Sequence, residues 1–351
     1  MTKPKNILVA PLNWGLGHAT RCIPIINELL NNSYTPIIAS DGEALVLLQK
    51  EFPELTCIEL PSYHISYAKN ARFFKWKMLT KLPKLIIAVF KEQQQIKELS
   101  TQFNLNGIIS DNRFGVHQQD IPSVYISHQL TVLSGYSTWF TSWVHQKIIS
   151  KFNECWVPDI KDNNSFSGKL SRSKKQLKNV IYIGALSRFK KNESIIAYDY
   201  LILLSGPEPQ RSILESQLLK TFKHSTKRVL FIKGKVSSNQ VTTSINNMTI
   251  YNFMTSNQLE KAIQQSRIVI SRSGYTTIMD LATIGKKAFF IPTPGQYEQL
   301  YLAKRMQDLH YTPFALQENF CLEKLDTIDE YQGLKALGEP TNFNALFRIF
   351  N

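Results

Sequence analysis

Residues 268–303, IVISRSGYTTIMDLATIGKKAFFIPTPGQYEQLYLA, restrict the fold more than any other stretch of the chain. Ile268–Ser271 is a short apolar run of strand type, Ser273-Gly274 interrupts it, and Ile278, Leu281 and Ala282 then recur at helical spacing. Gly285 stands where a helix C′ residue is expected, Ala288–Ile291 reads as a buried strand, and Pro292 and Pro294 stop it. This is a β-α-β unit, which implies a parallel sheet. The turn after its first strand leaves backbone N–H groups at a helix N-terminus, and with the helix dipole these favour an anion, usually a phosphate. Asp280 falls about a turn and a half into the helix, as a carboxylate for both hydroxyls of a ribose or as a solvated face residue. The loop 293–299 carries Gln296, Glu298 and Gln299, side chains suited to hydroxyl-rich ligands.

The N-terminus repeats the pattern. Ile7–Ala10 is a buried-type strand, Ala19–Leu30 a helix with Ile23, Ile26, Leu29 and Leu30 at core spacing, and Pro36–Ser40 a second strand. Gly15 and Gly17 let the intervening loop pass close to a ligand. Thr20 stands where a dinucleotide fingerprint requires its third glycine, so NAD binding is disfavoured. Further strands are expected at Gly107–Ser110, Ser123–Ser127, Glu154–Pro158, Val180–Ile183, Tyr200–Leu204, Val229–Ile232 and Thr249–Tyr251, with a helix at Asn257–Gln265. Asp111 follows the strand 107–110, and ligands of open α/β sheets gather at the carboxyl ends of strands. It is a candidate catalytic group, or else an Asx-turn or helix cap. Trp139 and Trp143 read as packing residues, and 161–179 as a mobile polar loop.

The segment from Ser271 to Ala303 and the GLGH loop ending at His18, followed by Arg21, together resemble glycosyltransferase family 28, the family of MurG. That resemblance implies the GT-B fold, two Rossmann-like doubly wound parallel-sheet domains facing across a cleft. The expected division is 1–185 on the acceptor side, 186–335 binding the nucleotide sugar, and a tail helix, 336–351, returning to the first domain. The implied activity is inverting transfer of a sugar from a nucleotide sugar, UDP-linked, to an acceptor hydroxyl. His18 is then the first candidate for the base and Asp111 the second. Ser273, Gly274, Tyr275 and Thr276, with Arg188, would meet the diphosphate, Asp280 the ribose, and Glu298 and Gln299 the sugar. Phe253 and Met254 match the positions that pack on the base, or serve as core. Ser205 and Gly206 match a phosphate loop from which the adjoining prolines depart. No DxD-type motif is well placed, so no metal and no other cofactor is expected.

A chain of 351 residues can form two domains, and 43% apolar residues is an ordinary globular value. The apolar stretch before Asn13 is too short for a signal-peptide core, and no run approaches the ~18–20 residues that span a bilayer. Cys22, Cys57, Cys155 and Cys321 form no CxxC pair, which fits a reducing, cytoplasmic setting without a zinc site. The net charge of +14 asks for an anionic partner. Residues 69–91 hold seven Lys/Arg and no acid, interleaved with Phe73, Phe74, Trp76 and Met78, and Pro83 is expected to split them into two helical pieces. The composition is that of a segment at a membrane interface, or of a helix with a solvated basic face. A lipid or lipid-linked acceptor at the inner membrane face follows from the first. A GT-B UDP-sugar epimerase is the nearer rival. A nucleic-acid binder is the more distant one, because no RNP, zinc-finger or helix-turn-helix pattern occurs. The transferred sugar, the acceptor and the oligomeric state are not legible.

Overall fold

The structure, a computed structural model, describes residues 4–63, 74–173, 177–206, 208–336, 338 and 340–351, with 74–82 as backbone only. Its contacts divide the chain into two compact units. Each is an α/β unit around a largely parallel sheet.

The first unit begins β1 (Asn6–Pro11), α1 (Gly17–Asn31), β2 (Thr35–Ser40), α2 (Gly42–Glu51) and β3 (Cys57–Glu59). It continues through α3 (Phe74–Gln102, belonging to this unit from Thr80 on), β4 (Leu105–Asp111), β5 (Ser123–Ile126), α4 (Thr138–Ile149), β6 (Glu154–Val157) and β7 (Val180–Tyr182). The strand order is β3-β2-β1-β4-β5-β6-β7, with every pairing parallel. Strands buried on both faces explain the near-continuous apolar runs Ile7–Ala10 and Ile37–Ala39. The direction of winding reverses between β1 and β4, whose last residues pair as Pro11 and Asp111. Ligands of doubly wound sheets bind outside the carboxyl ends at such a switch point.

The second unit contains β8 (Tyr198–Leu203), α5 (Gln210–Phe222), β9 (Val229–Ile232), β10 (Thr242–Ile245), β11 (Met248–Tyr251) and α6 (Ser256–Gln264). The motif stretch follows as β12 (Ser266–Ser271), α7 (Tyr275–Ile284), β13 (Lys287–Phe290) and α8 (Tyr297–Asp308). The order is β10-β11-β9-β8-β12-β13, parallel except for the edge hairpin β10–β11. Its reversal lies between β8 and β12, so Ser205-Gly206 and Ser273-Gly274 leave adjacent strands at the switch point. Gly285 ends α7 in the left-handed region at φ 79°, a conformation that costs glycine nothing. α9 (Phe343–Leu346) and a final helical turn, Phe347–Phe350, pack on the first unit through Tyr34, Phe347, Phe350 and Trp156. Lys5 Nζ donates to the Phe350 carbonyl at 2.8 Å.

Three expectations from the sequence need correction. α3 continues through Pro83, because Ala88, Ile96 and Leu99 bury one face of the same helix beyond it. A single missing N–H does not offset that burial. The start of the basic segment, 69–73, lies outside the described residues. Within the loop expected over 161–179, one stretch is packed: Ser165, Phe166, Ser167, Leu170 and Ser171 are buried, while 161–164 are exposed. Its backbone is satisfied by Asp159, whose carboxylate accepts from Ser167 N at 2.9 Å, and by Leu170 O, which accepts from Leu130 N at 2.7 Å. Trp139 and Trp143 do not pack inside. They are 74% and 49% exposed, because α4 buries its opposite face through Ser142, His145 and Ile149.

A Cβ on Gly107 would overlap the Phe350 ring and approach Ile7 Cδ1 to 2.9 Å. Gly107→Val should therefore destabilise the first unit by about 1–3 kcal/mol through overpacking, read as a lower chemical-denaturation midpoint with an unchanged slope.

Candidate active site

At the switch point of the first sheet, β4 ends in Asp111, which has no solvent exposure. After the loop 12–16 that follows β1, α1 turns His18 and Arg21, three residues apart, onto that carboxylate. Arg21, also buried, donates from Nε to Asp111 Oδ2 at 2.8 Å and from Nη2 to Oδ1. His18 Nδ1 lies 2.8 Å from Oδ1, and Asn112 Nδ2 donates to the same oxygen at 3.1 Å. Asn112 is held in the left-handed region at φ 59°, and its Oδ1 accepts from Tyr125 OH at 3.0 Å. Burial by itself would raise the Asp111 pKa; the Arg21 charge, then His18 and their hydrogen bonds, outweigh it and hold the carboxyl well below the usual range.

An ionised carboxylate only accepts hydrogen bonds, so the 2.8 Å contact makes His18 Nδ1 a donor and leaves the lone pair on Nε2. The same nitrogen cannot also accept from Arg21 Nη2, and their 3.1 Å spacing is a joint approach to Oδ1. The His18 side chain keeps 17% exposure, whereas Asp111 has none. Arg21 Nη1 reaches His128 Nδ1 at 3.1 Å, which makes that nitrogen an acceptor and brings the end of β5 into the cluster. Arg21 and His128 were missed as members of the group. Their available signals were a cation on the apolar face of α1 and a histidine just past a strand end.

A second buried network fixes the neighbouring loops. Arg113 donates to Asp41 Oδ1 at 2.7 Å, Glu92 Oε1 at 2.5 Å and the Pro61 carbonyl at 2.6 Å. Gly15 has φ 75° in the loop after β1, and Gly17 opens α1.

In the second unit, α7 starts at Gly274 without a side-chain cap and without an acid in its first turn. The space beside Gly274 is open, since a Cβ there would meet only Thr277 Oγ1 at 3.7 Å. Ser273 is buried, and its hydroxyl donates to Gln299 O at 2.7 Å. Gln299 in turn accepts from Thr293 N through Oε1 at 2.8 Å, tying the Pro-Thr-Pro loop to α8. Glu298 is half-buried in the first turn of that helix. The motif arginine, Arg272, is fully buried and structural: Nη1 donates to the Ile291 and Pro292 carbonyls at 3.0 and 3.2 Å. Its Nη2 donates to Gln210 O at 3.0 Å and Gln317 Oε1 at 2.8 Å.

Asp280 is buried, with Oδ1 accepting from Ser187 Oγ at 2.7 Å and Oδ2 lying 3.7 Å from Arg188 Nε. Arg188 also reaches Ser256 Oγ at 3.1 Å and stacks over Phe189. Burial is the main influence on Asp280 and raises its pKa from 3.8 to about 6, with Arg188 and Ser187 opposing. Phe253 is buried with its carbonyl accepting from Gln240 Nε2 at 2.8 Å, and Met254 is half-buried beside it. Ser205 and Gly206 are half-buried past the end of β8. Among the described residues, no three His, Cys, Asp or Glu side chains gather as a metal site requires.

Arg272→Met should cost about 3 kcal/mol or more, because four buried acceptors lose their donor, measured by equilibrium unfolding. For Asp280 the folded pKa lies above the unfolded value, so the folded state holds the proton more tightly. The stabilisation is complete below about pH 4 and is lost as pH rises through about 6. Unfolding titrations between about pH 4 and 6 should show stability rising more steeply with pH in Asp280→Asn than in the native protein, because His145, held down to about 4 by burial, contributes the opposite slope in both.

Residues 208–330 match the glycosyltransferase family 28 C-terminal domain. No curated protein sequence matches the chain. Among solved structures, the glycosyltransferase of kitacinnamycin is similar at 12% identity and a TM-score of 0.63, over 94% of this chain and 91% of that one. MurG from Acinetobacter baumannii is similar at 12% identity and a TM-score of 0.55, over 99% of each chain. A Listeria monocytogenes protein assigned as a UDP-N-acetylglucosamine 2-epimerase follows at 10% and 0.62, over 99% of this chain and 96% of that one. At such identities the structural likeness is one of fold. The chain has the GT-B fold, and residues 208–330, within its second unit, match the glycosyltransferase family 28 C-terminal domain.

Proposed function

We propose that the chain is an inverting glycosyltransferase that moves a sugar from a UDP-linked donor to an acceptor hydroxyl without a resident metal. The observation that supports this most is His18, oriented through Nδ1 by a buried, ionised Asp111, in a chain whose other unit matches family 28. His18 Nε2 takes the acceptor proton as the hydroxyl oxygen attacks the anomeric carbon opposite the nucleotide, and the C–O bond to the diphosphate breaks. Asp111 holds the tautomer and stabilises the imidazolium. Without solvent exposure and with Arg21 on both oxygens, it is not the group that meets the acceptor.

The leaving diphosphate needs fixed positive charge. We assign this to the start of α7 over Ser273–Thr276, with Arg188 and the Ser205-Gly206 turn. Asp280 takes the ribose hydroxyls by exchanging its bond from Ser187. Phe253 and Met254 border the base, and Glu298 meets the sugar above a loop that Gln299 anchors. The acceptor is lipid or lipid-linked, and 69–91 rests on the inner membrane surface. Among the described residues no helix is long and apolar enough to cross a membrane. Likeness to the assigned epimerase supports a second reading, in which a UDP-sugar is converted to another UDP-sugar with no UDP released.

His18→Ala should lower kcat by about 10²–10⁴-fold, and Asp111→Asn should lower kcat while leaving donor KM near its native value. Asp280→Ala should weaken UDP binding by about 1–3 kcal/mol in calorimetric titrations run with a chelator. UDP release that requires an acceptor separates transfer from epimerisation. Failure to bind UDP, GDP or TDP at moderate salt would remove the donor site.

A further inference from the structure

α4 is inside out by the standard of a helix facing water. Its buried face presents Ser142 and His145 along with Ile149, while its open face presents Trp139, Phe140, Trp143 and Val144. These four residues and Lys147 fall at i, i+1, i+4, i+5 and i+8, on one side of the helix. The aromatics form one surface: Trp139 and Phe140 lie edge to face at 5.8 Å, and Phe140 and Trp143 stack at 6.2 Å. Tyr136, fully exposed, stands in the helical turn before them. The burial of Phe140 (50% exposed) and the two tryptophans is incomplete enough to leave a contiguous apolar patch, which on a soluble surface marks an interaction site.

The charge around this patch identifies the partner. Between Asp120 and Glu154 the chain has no acidic residue, and its cations there, Lys147 and Lys151, are exposed. α3 repeats the arrangement: Ile86, Ile87 and Phe90 are exposed between the exposed Lys84 and Lys91, and no acid precedes Glu92 in the helix. Both helices rest on the same residue. Phe114 packs against the Leu12–Tyr63–Ala88 cluster on the α3 side and lies edge to face with His145 of α4 at 6.2 Å. Tyrosine and tryptophan at an apolar surface rimmed by lysine, with carboxylates excluded, suit the headgroup boundary of a bilayer that contains anionic lipid.

The geometry points to α4 as a bilayer-contact element, inserting Trp139, Phe140 and Trp143 at the interface of an anionic membrane while Lys147 and Lys151 meet phosphate headgroups. This deepens the membrane part of the proposed function, and its residues are separate from 69–91.

The test is partitioning of the full chain onto vesicles of phosphatidylglycerol mixed with phosphatidylcholine, against phosphatidylcholine alone. The native protein should bind the mixed vesicles and be released by salt. Trp139→Ser/Phe140→Ser/Trp143→Ser should lower partitioning by about tenfold or more, with UDP binding and thermal midpoint kept. In a second measurement, run in a Trp76→Phe background so that 69–91 contributes no signal, brominated lipid should quench tryptophan emission, and Trp139→Phe/Trp143→Phe should lose most of that quenching while still binding. Equal partitioning of the triple variant with native-like quenching in the double variant would overturn the role of α4 and leave the membrane reading of 69–91 standing. A native protein that binds neither vesicle overturns both, without touching the donor-site reading that UDP titration examines. Self-association of the native chain, abolished in the triple variant without any vesicle binding, would assign the face to a second copy instead.

Discussion

Asp111 carries a charge where no water reaches it, and the carboxyl edge of the first sheet is arranged around that fact. An isolated buried carboxylate would cost several kcal/mol and would be neutral at pH 7. Here Arg21 covers both oxygens, and His18 and Asn112 complete the set. Each partner is fixed by the need to satisfy the charge: α1 must start where His18 and Arg21 face β4, and Asn112 must take its left-handed turn. The Arg113–Asp41–Glu92 group repeats this logic one loop away. Two buried ion-paired clusters leave little freedom in the loops that carry His18.

The second unit uses a different economy. Arg272 meets carbonyls and an amide instead of a carboxylate, so its charge is spread over neutral acceptors from three segments. Asp280 shows how far environment decides the behaviour of one residue type. It is buried like Asp111, yet its cation stands at 3.7 Å, and its donors are the Ser187 hydroxyl and the Arg188 backbone, not a bidentate guanidinium. Burial therefore dominates and raises its pKa to about 6, whereas Asp111 is held down by a bidentate guanidinium.

Local patterns misread three segments because composition does not say which face is inside. The tryptophans of α4 belong to core-type residues, yet the face that meets the sheet is the one with Ser142 and His145. The polar run after Asp159 was expected to be mobile, yet its serines and main chain are consumed by hydrogen bonds to that carboxylate and to neighbouring turns. Pro83 was expected to end a helix whose downstream packing carries it through.

Local pattern was enough to place the two β-α-β frameworks, the family resemblance and the turns at Ser273-Gly274 and Gly285. All of these rest on periodicities of a few residues and on glycine or proline stops, which act within one or two turns of chain. It also picked out His18 and Asp111, each from its place at a strand end, but as competitors for one role. That they are partners emerges from the fold, because the contact joins residues 93 apart in sequence. The same holds for Arg21 with His128, for Arg272 with Gln317, and for the outward turn of the α4 aromatics. Such pairings depend on strand order and on which helix face the sheet buries, and these are set when distant segments compete for the same core.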